Sequence, residues 1–261
     1  MNNKKHHFRN VYLWVLVAFT YIPIISMIVF SFNSGRSLTT WTGFSFVWYE
    51  KLFADRDIME AVLNTVMVAV ISTIVSTIIG TLGAIALSKN KKVFRETVMG
   101  ISNIPILSPE IVTAIAFFVF FGAFAIEKGM TTMILAHIAF STPYVLLAVY
   151  PKVKSLDKDL VSAAYDLGAT PRQALFKVIL PQIKVAIIAG AAIAFTMSFD
   201  DFVISYFSSG TMVKNISIYL YTLKRGIEPT VNALSTIIML IIGGKIIYDY
   251  VKSGKNKVEE E

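Results

Sequence analysis

Cysteine is absent from the chain, which excludes a disulfide framework, a thiolate nucleophile and any Cys-based metal site. Charge is also scarce: Asp, Glu, Lys and Arg make up 16% of 261 residues, against 55% hydrophobic residues. With a mean hydropathy of +0.65, the chain has too little polar surface to coat a water-soluble globule. No G-x-x-x-x-G-K-[ST] phosphate loop occurs. The stretch GGKI at 243–246 lacks both the upstream glycine and the closing hydroxyl, so the chain is not expected to hydrolyse ATP. His137 stands alone in apolar sequence, which predicts a hydrogen-bonded packing residue rather than a catalytic or metal group.

What is abundant is long apolar sequence. A helix needs about 20 mainly apolar residues to cross roughly 30 Å of hydrocarbon. Six such runs are present, at about 11–33, 61–88, 98–121, 130–150, 185–206 and 230–250. The fold class expected is therefore all-α integral membrane, with residues 1–261 forming one transmembrane domain. The first run is too long for a signal peptide, contains Pro23 and ends in Asn33 without a small-residue cleavage site. It reads as a true span.

Lys and Arg divide unevenly between alternate sides of these spans. The amino terminus, the 89–95 loop, the 152–184 segment and the tail hold 17, and the other side holds 7, Lys224 and Arg225 among them. This asymmetry predicts cytoplasmic termini and a cytoplasmic 155–181 loop. The net charge of +7 then reflects topology and gives no reason to expect nucleic acid as a partner.

That loop is patterned. Asp157 is placed to cap a short helix whose apolar positions Leu160, Ala163, Ala164 and Leu167 share one face, and Gly168 suits the left-handed residue that ends it. Thr170, Pro171 and Gln173 form a capping-box start for a second helix, which Pro181 is expected to end or kink. Periodicity alone is equally compatible with a helix pair resting on lipid headgroups and with a docking surface for protein.

The same segment resembles the cytoplasmic EAA loop of ABC-importer permeases, which reads Glu-Ala-Ala, three residues, Gly, nine residues, then Ile-x-Leu-Pro. Ala163, Ala164, Gly168, Leu180 and Pro181 match at the right spacing. Ser162 replaces the Glu, removing a charge able to pair with a partner's basic residue, and Val178 replaces the Ile. Further stretches, YIPIISMIVFSFN (21–33), WTGFSFVWYEKLF (41–53), SPEIVTAIAFFVFF (108–121) and SFDDFVISYF (198–207), resemble the second permease of spermidine/putrescine importers. The resemblance implies a type I importer permease fold in a bacterial inner membrane, with six spans and a coupling helix pair. It also implies a second permease, a pair of ATPase subunits that carry ATP and Mg, and an external polyamine-binding protein. In the resemblance, Ser162, Ala163, Ala164, Tyr165, Asp166, Leu167, Gly168 and Ala169 form the ATPase-coupling surface. No cofactor or metal is expected on this chain.

The cargo has an independent signal. Within the first five spans there are three acids, Glu110, Asp200 and Asp201, and no basic residue, while the sixth carries Lys245 and Asp249 toward its tail end. An acid at that depth is costly unless it faces a cavity, a partner or a substrate, so acids alone suit a cationic cargo. Pro105 and Pro109 should break the third span, with Ser108 as N-cap and Glu110 in the first turn of a new half-helix. Glu110 then serves either that positive helix end or the cargo. Asp201 is expected on the small-residue face of Ala186, Gly190 and Ala194, pointing into the bundle. Tyr144 and Tyr206 are candidate cation–π partners, alongside Tyr21, Trp41, Trp48 and Tyr49, all of which also suit an interfacial belt. Ser72, Ser76, Gly80 and Ala84 recur every four residues as a close-packing ridge. A secondary cation antiporter would use the same acids, and an intramembrane hydrolase would use Ser141 with His137; neither explains the capped loop.

Overall fold

The computed structural model describes the backbone of residues 2–223 and 229–258, with side chains for 10–157, 159–223, 229–245 and 248. Lys224 and Arg225, which entered the charge balance, lie outside the described residues. Among the described residues the structure is helical, with one isolated bridge, Asn33 to Phe44, and no strand. It divides into two compact units, Met1–Met59 with Thr222–Glu261, and Glu60–Tyr221.

In the first unit, α1 (Asn2–Ser31) and α2 (Val47–Ala54) both pack on α12 (Pro229–Val258). The turn after α1 is built around Asn33, which is fully buried. Its amide nitrogen donates to the carbonyls of Ser37 (3.0 Å) and Thr40 (2.9 Å), and its Oδ1 accepts from the Thr42 N–H (2.8 Å) and hydroxyl (2.9 Å). The Trp48 indole donates to the Asn33 carbonyl at 2.6 Å. Trp48 is thus a buried structural anchor of α2. Trp41 is half-exposed with its ring edge toward Phe30, and Tyr49 bonds the Ser31 hydroxyl at 2.7 Å.

The second unit contains α3 (Arg56–Ser88) from Glu60 onward, α4 (Lys92–Leu107), α5 (Glu110–Ala123), α6 (Met130–Lys154), α7 (Lys158–Asp166) and α8 (Pro171–Ala174). A π-helical turn, Leu175–Ile179, leads into α9 (Leu180–Phe199), followed by α10 (Val203–Ser208) and α11 (Ile216–Thr222). The helix α6 is the axis of this unit, with α9, α4 and α10 packed on it. Its Val145 is fully buried between two glycines. A Cβ on Gly80 of α3 would stand 2.7 Å from Val145 Cβ and 3.0 Å from the Leu146 backbone nitrogen, and one on Gly190 of α9 would stand 3.2 Å from Val145 Cγ1. Both small-residue ridges predicted from spacing therefore face α6, with Ser72, Ser76 and Ala84 fully buried. Gly80→Val is expected to destabilise the unit by about 1–3 kcal/mol through overpacking against backbone that cannot retreat. Thermal unfolding of the detergent-purified protein checks this, and an unchanged midpoint would refute it.

Four helical stretches are long and apolar enough to span a membrane: Asn10–Ser31, Arg56–Ser88, Met130–Lys154 and Pro171–Phe199. The pair α4 and α5, bent by 107°, is long and apolar enough only when the two are taken together as one broken span, and Pro229–Lys245 is a shorter apolar helix. Three boundaries differ from expectation. First, the break expected in the third run falls at Pro109 alone, with Pro105 inside α4 and Ser108 closing α4 rather than capping α5: Ser108 and Pro109 are both extended, and the Ser108 N–H bonds the Ile104 carbonyl. Proline holds its predecessor out of the helical region, so the cap falls on Pro109 itself. Second, Pro181 does not end the helix that starts at Pro171. The π turn makes the Leu180 N–H reach back to the Leu175 carbonyl, which absorbs the missing donor and the ring's bulk. Third, the same span stops at Phe199, short of both aspartates.

Candidate functional site

The break between α4 and α5 places Glu110 as the first residue of α5, exposed and in the helix's positive first turn. Its side chain comes within hydrogen-bonding reach of the Asp201 carboxyl, with Asp200 and Tyr144 in electrostatic range. The structure thus gathers the three intramembrane acids, separated by about ninety residues of sequence, where α5 packs on α10.

The two aspartates differ in kind. Asp200 closes α9 and its side chain is exposed. Asp201 is 4% exposed and lies in the corner between α9 and α10. Its Oδ1 accepts the Ile204 N–H (3.2 Å), and its Oδ2 accepts both the Ser205 N–H and hydroxyl (2.7 Å each). The aspartate therefore caps α10. It does not continue the Gly190 face of α9, because that helix has ended two residues earlier. Burial in the bundle, the expected consequence, is reached by a different route.

His137 completes the corner. Its Nδ1 pairs with the Ser198 hydroxyl (2.7 Å), and its Nε2 pairs with the Ser205 hydroxyl (2.9 Å) and stands 3.4 Å from Asp201 Oδ2. Ser72 of α3 donates to Ser198 (3.0 Å), and the Asn215 amide donates to the Asp201 carbonyl (3.0 Å) and the Ser205 hydroxyl (2.9 Å). His137 is thus a satisfied buried packing residue, as its isolation suggested, and both ring nitrogens are engaged away from Ser141. Ser198, Ser205 and Asn215 were not read from the sequence as site residues. The spacing of Ser198, Asp201 and Ser205, three and then four residues, was the one available signal. Among the described residues no group of three His, Asp or Glu is placed to hold a metal ion.

Tyr144 sits half-buried with its ring edge to Phe140. Tyr206 is 45% exposed and forms an aromatic cluster with Phe202 and Tyr221, ring centroids 4.9–5.6 Å apart. Tyr21 is exposed on α1.

The 155–181 segment folds as its pattern dictates. Asp157 accepts the Asp159 N–H at 2.9 Å, and Gly168, at φ +81, closes α7. The Ala169 N–H returns to the Ala164 carbonyl and the Gly168 N–H to the Tyr165 carbonyl, a Schellman ending that requires the left-handed residue. Thr170 and Gln173 exchange both capping-box bonds (3.3 and 2.8 Å). The apolar face of α7 is not buried by this chain. Leu160 is 46% exposed, Tyr165 42% and Leu167 88%, and Leu167, Gly168 and Ala169 line a shallow groove of about 360 Å³ with Gln173 and Lys177. Ser162, Ala163 and Asp166 are also at the surface.

Residues 76–257 match the family of binding-protein-dependent transport system inner membrane components. The chain belongs to that family. This permease is 35% identical over 249 residues, 95% of its own length and 97% of the relative's, to the spermidine/putrescine transport system permease protein PotC of Haemophilus influenzae. It is 34% identical over 244 residues, 90% of this chain and 86% of the relative, to the putrescine transport system permease protein PotI of Escherichia coli. In fold it matches a bacterial ABC transporter involved in import of the acidic polysaccharide alginate, with a TM-score of 0.75 at 17% identity over 97% and 96% of the two chains. An amino acid ABC transporter matches at a TM-score of 0.55 over 79% of this chain and 96% of that one, at 18% identity. The permease is accordingly a multi-pass inner-membrane transport subunit of an ABC importer, and ATP hydrolysis belongs to a separate subunit. The antiporter and hydrolase readings fall with this assignment.

Proposed function

We propose that the permease forms, with a second and different permease, the path for a polyamine delivered by an external binding protein. Residues 155–181 dock onto one subunit of an ATPase dimer that carries ATP and Mg. Both termini are cytoplasmic, and α12 supplies the sixth span of a single 1–261 domain. The observation that carries the cargo assignment is the convergence of Glu110 on Asp201, beside Asp200 and Tyr144, in a span region that holds no basic residue. The polyamine permeases among its relatives support the same reading.

The acids divide the work. Asp201 spends its oxygens on α10, so it sets the corner's shape and negative charge, while Glu110 and Asp200 present exposed carboxylates to the cargo. An ammonium group suits this arrangement because carboxylate contacts replace its hydration shell, and aromatic faces such as Tyr144 and the Tyr206 cluster add cation–π attraction. ATPase closure, acting on α7 and on the unbroken helical run from Pro171 to Phe199, reaches the Asp200–Asp201 corner directly.

Glu110→Gln removes charge without removing a cap. It is expected to lower polyamine uptake into reconstituted vesicles roughly ten- to hundredfold, the value of a charged hydrogen bond, while the importer still assembles. Wild-type uptake by both Glu110→Gln and Asp200→Asn would overturn the assignment.

A further inference from the structure

Behind α7, on the face of the unit that carries the excess of Lys and Arg, lies a cavity of about 620 Å³. Three basic residues line it, each at a helix end: Lys89 just past α3, Arg95 in the first turn of α4, and Lys154 closing α6. None of the three makes an ion pair among the described residues; the basic residue there that does, Lys92 with Glu96 at 3.8 Å, lies outside the cavity. The one acid in the lining, Asp157, already accepts the Asp159 N–H to cap α7. The cavity therefore holds an excess of positive charge. Its floor is apolar, formed by Ile85, Val153 and Ile179, each under 10% exposed.

We infer that this cavity is a binding site for the phosphate headgroup of an anionic phospholipid. Charge and wall chemistry act together. Three cations stand at three helix ends on the charged face of the unit, the setting in which basic pockets between membrane helices recruit anionic lipid, and the apolar floor accommodates the first methylenes of an acyl chain. A soluble phosphate would satisfy the charges but would leave the floor unused. Ser162 also lines the cavity. It stands where the EAA pattern has Glu, so an acid that would neutralise the cavity is missing from this chain. The site lies apart from the Glu110–Asp201 corner, and its test is independent of the cargo.

The experiment uses the importer purified with its partner subunits, delipidated in detergent, then titrated with phosphatidylglycerol or phosphatidylcholine and read by native mass spectrometry. One tight phosphatidylglycerol per permease chain is expected, with phosphatidylcholine binding no more than background. Lys89→Gln, Arg95→Gln and Lys154→Gln combined should weaken phosphatidylglycerol binding roughly a hundredfold, at about tenfold or less per basic residue. Ser162→Glu should weaken it as well. The control, Lys91→Gln, Lys92→Gln and Lys152→Gln combined, removes the same charge from exposed positions outside the cavity and should retain the lipid. Equal loss in the control, full retention in the cavity triple variant, or equal binding of phosphatidylcholine would overturn the inference. Displacement of the lipid by millimolar inorganic phosphate would reassign the cavity to a soluble anion and overturn the lipid assignment.

Discussion

Asp201→Ala is expected to destabilise the Glu60–Tyr221 unit by about 3–5 kcal/mol, the range for stripping one partner from a buried charged network. Three donors lose their acceptor at once: the N–H groups of Ile204 and Ser205 and the Ser205 hydroxyl. His137 keeps its serine contacts but loses the carboxylate 3.4 Å away, and the first turn of α10 loses the acceptor of two backbone N–H groups. Water cannot compensate, because the corner is buried against α5 and α6. Asp201→Asn should fall between, since one carbonyl oxygen remains while the new NH₂ opposes a backbone or hydroxyl donor. Thermal unfolding of the detergent-purified importer measures the effect. A midpoint within experimental error of wild type for Asp201→Ala would show that the corner is held by packing alone. The contrast with Glu110→Gln matters: that variant should lose uptake and keep its midpoint, which separates the residue that shapes the site from the residue that meets the cargo.

The second large effect is expected at the coupling surface. Leu167, 88% exposed at the end of α7, stands with the exposed Leu160 and Tyr165 on a helix outside the long apolar runs. If the ATPase seats α7, Leu167→Asp places a charge in the centre of that contact. A central anchor is worth at least about 2 kcal/mol, so ATPase affinity should drop roughly thirtyfold or more, and ATP-driven uptake should fall with it. Co-purification of the ATPase with the permease gives the direct reading. The capped ends of α7 and α8 are fixed by their own hydrogen bonds, so the variant should leave the fold intact. Full retention of the ATPase would mean that α7 rests on lipid and that coupling runs elsewhere.

Much of this molecule was legible in the one-dimensional pattern because the signals concerned are local. Asp157, Gly168, Thr170 and Gln173 act within four residues of themselves, so cap chemistry alone places α7 and α8, and the structure reproduces each bond. The ridges of Ser72, Ser76, Gly80 and Ala84, and of Ala186, Gly190 and Ala194, follow from helical period and small side-chain volume; Val145 is the residue they close on. Glu110 could be set at the start of a half-helix because Pro109 stands just before it and holds Ser108 out of the helical region; Pro105, expected to share in the break, lies inside α4.

The site's interior was not legible, for a physical reason. Whether α9 runs through Asp201 or stops before it depends on competition between one more helical turn and a cap that satisfies two backbone donors of α10. The outcome is set by His137, Ser72 and Asn215, residues distant along the chain. The π turn before Pro181 belongs to the same class, since its tolerance is decided by what α9 packs against. Composition, period and capping residues determined that this is a helical membrane protein with a capped helix pair at 155–181, because hydrophobic length and local hydrogen bonds need no partners. Only the tertiary structure decided that Asp201 is a buried cap, that Glu110 reaches it, and that three cations without an ion pair among the described residues share one cavity, because each depends on helices far apart in sequence arriving at the same place.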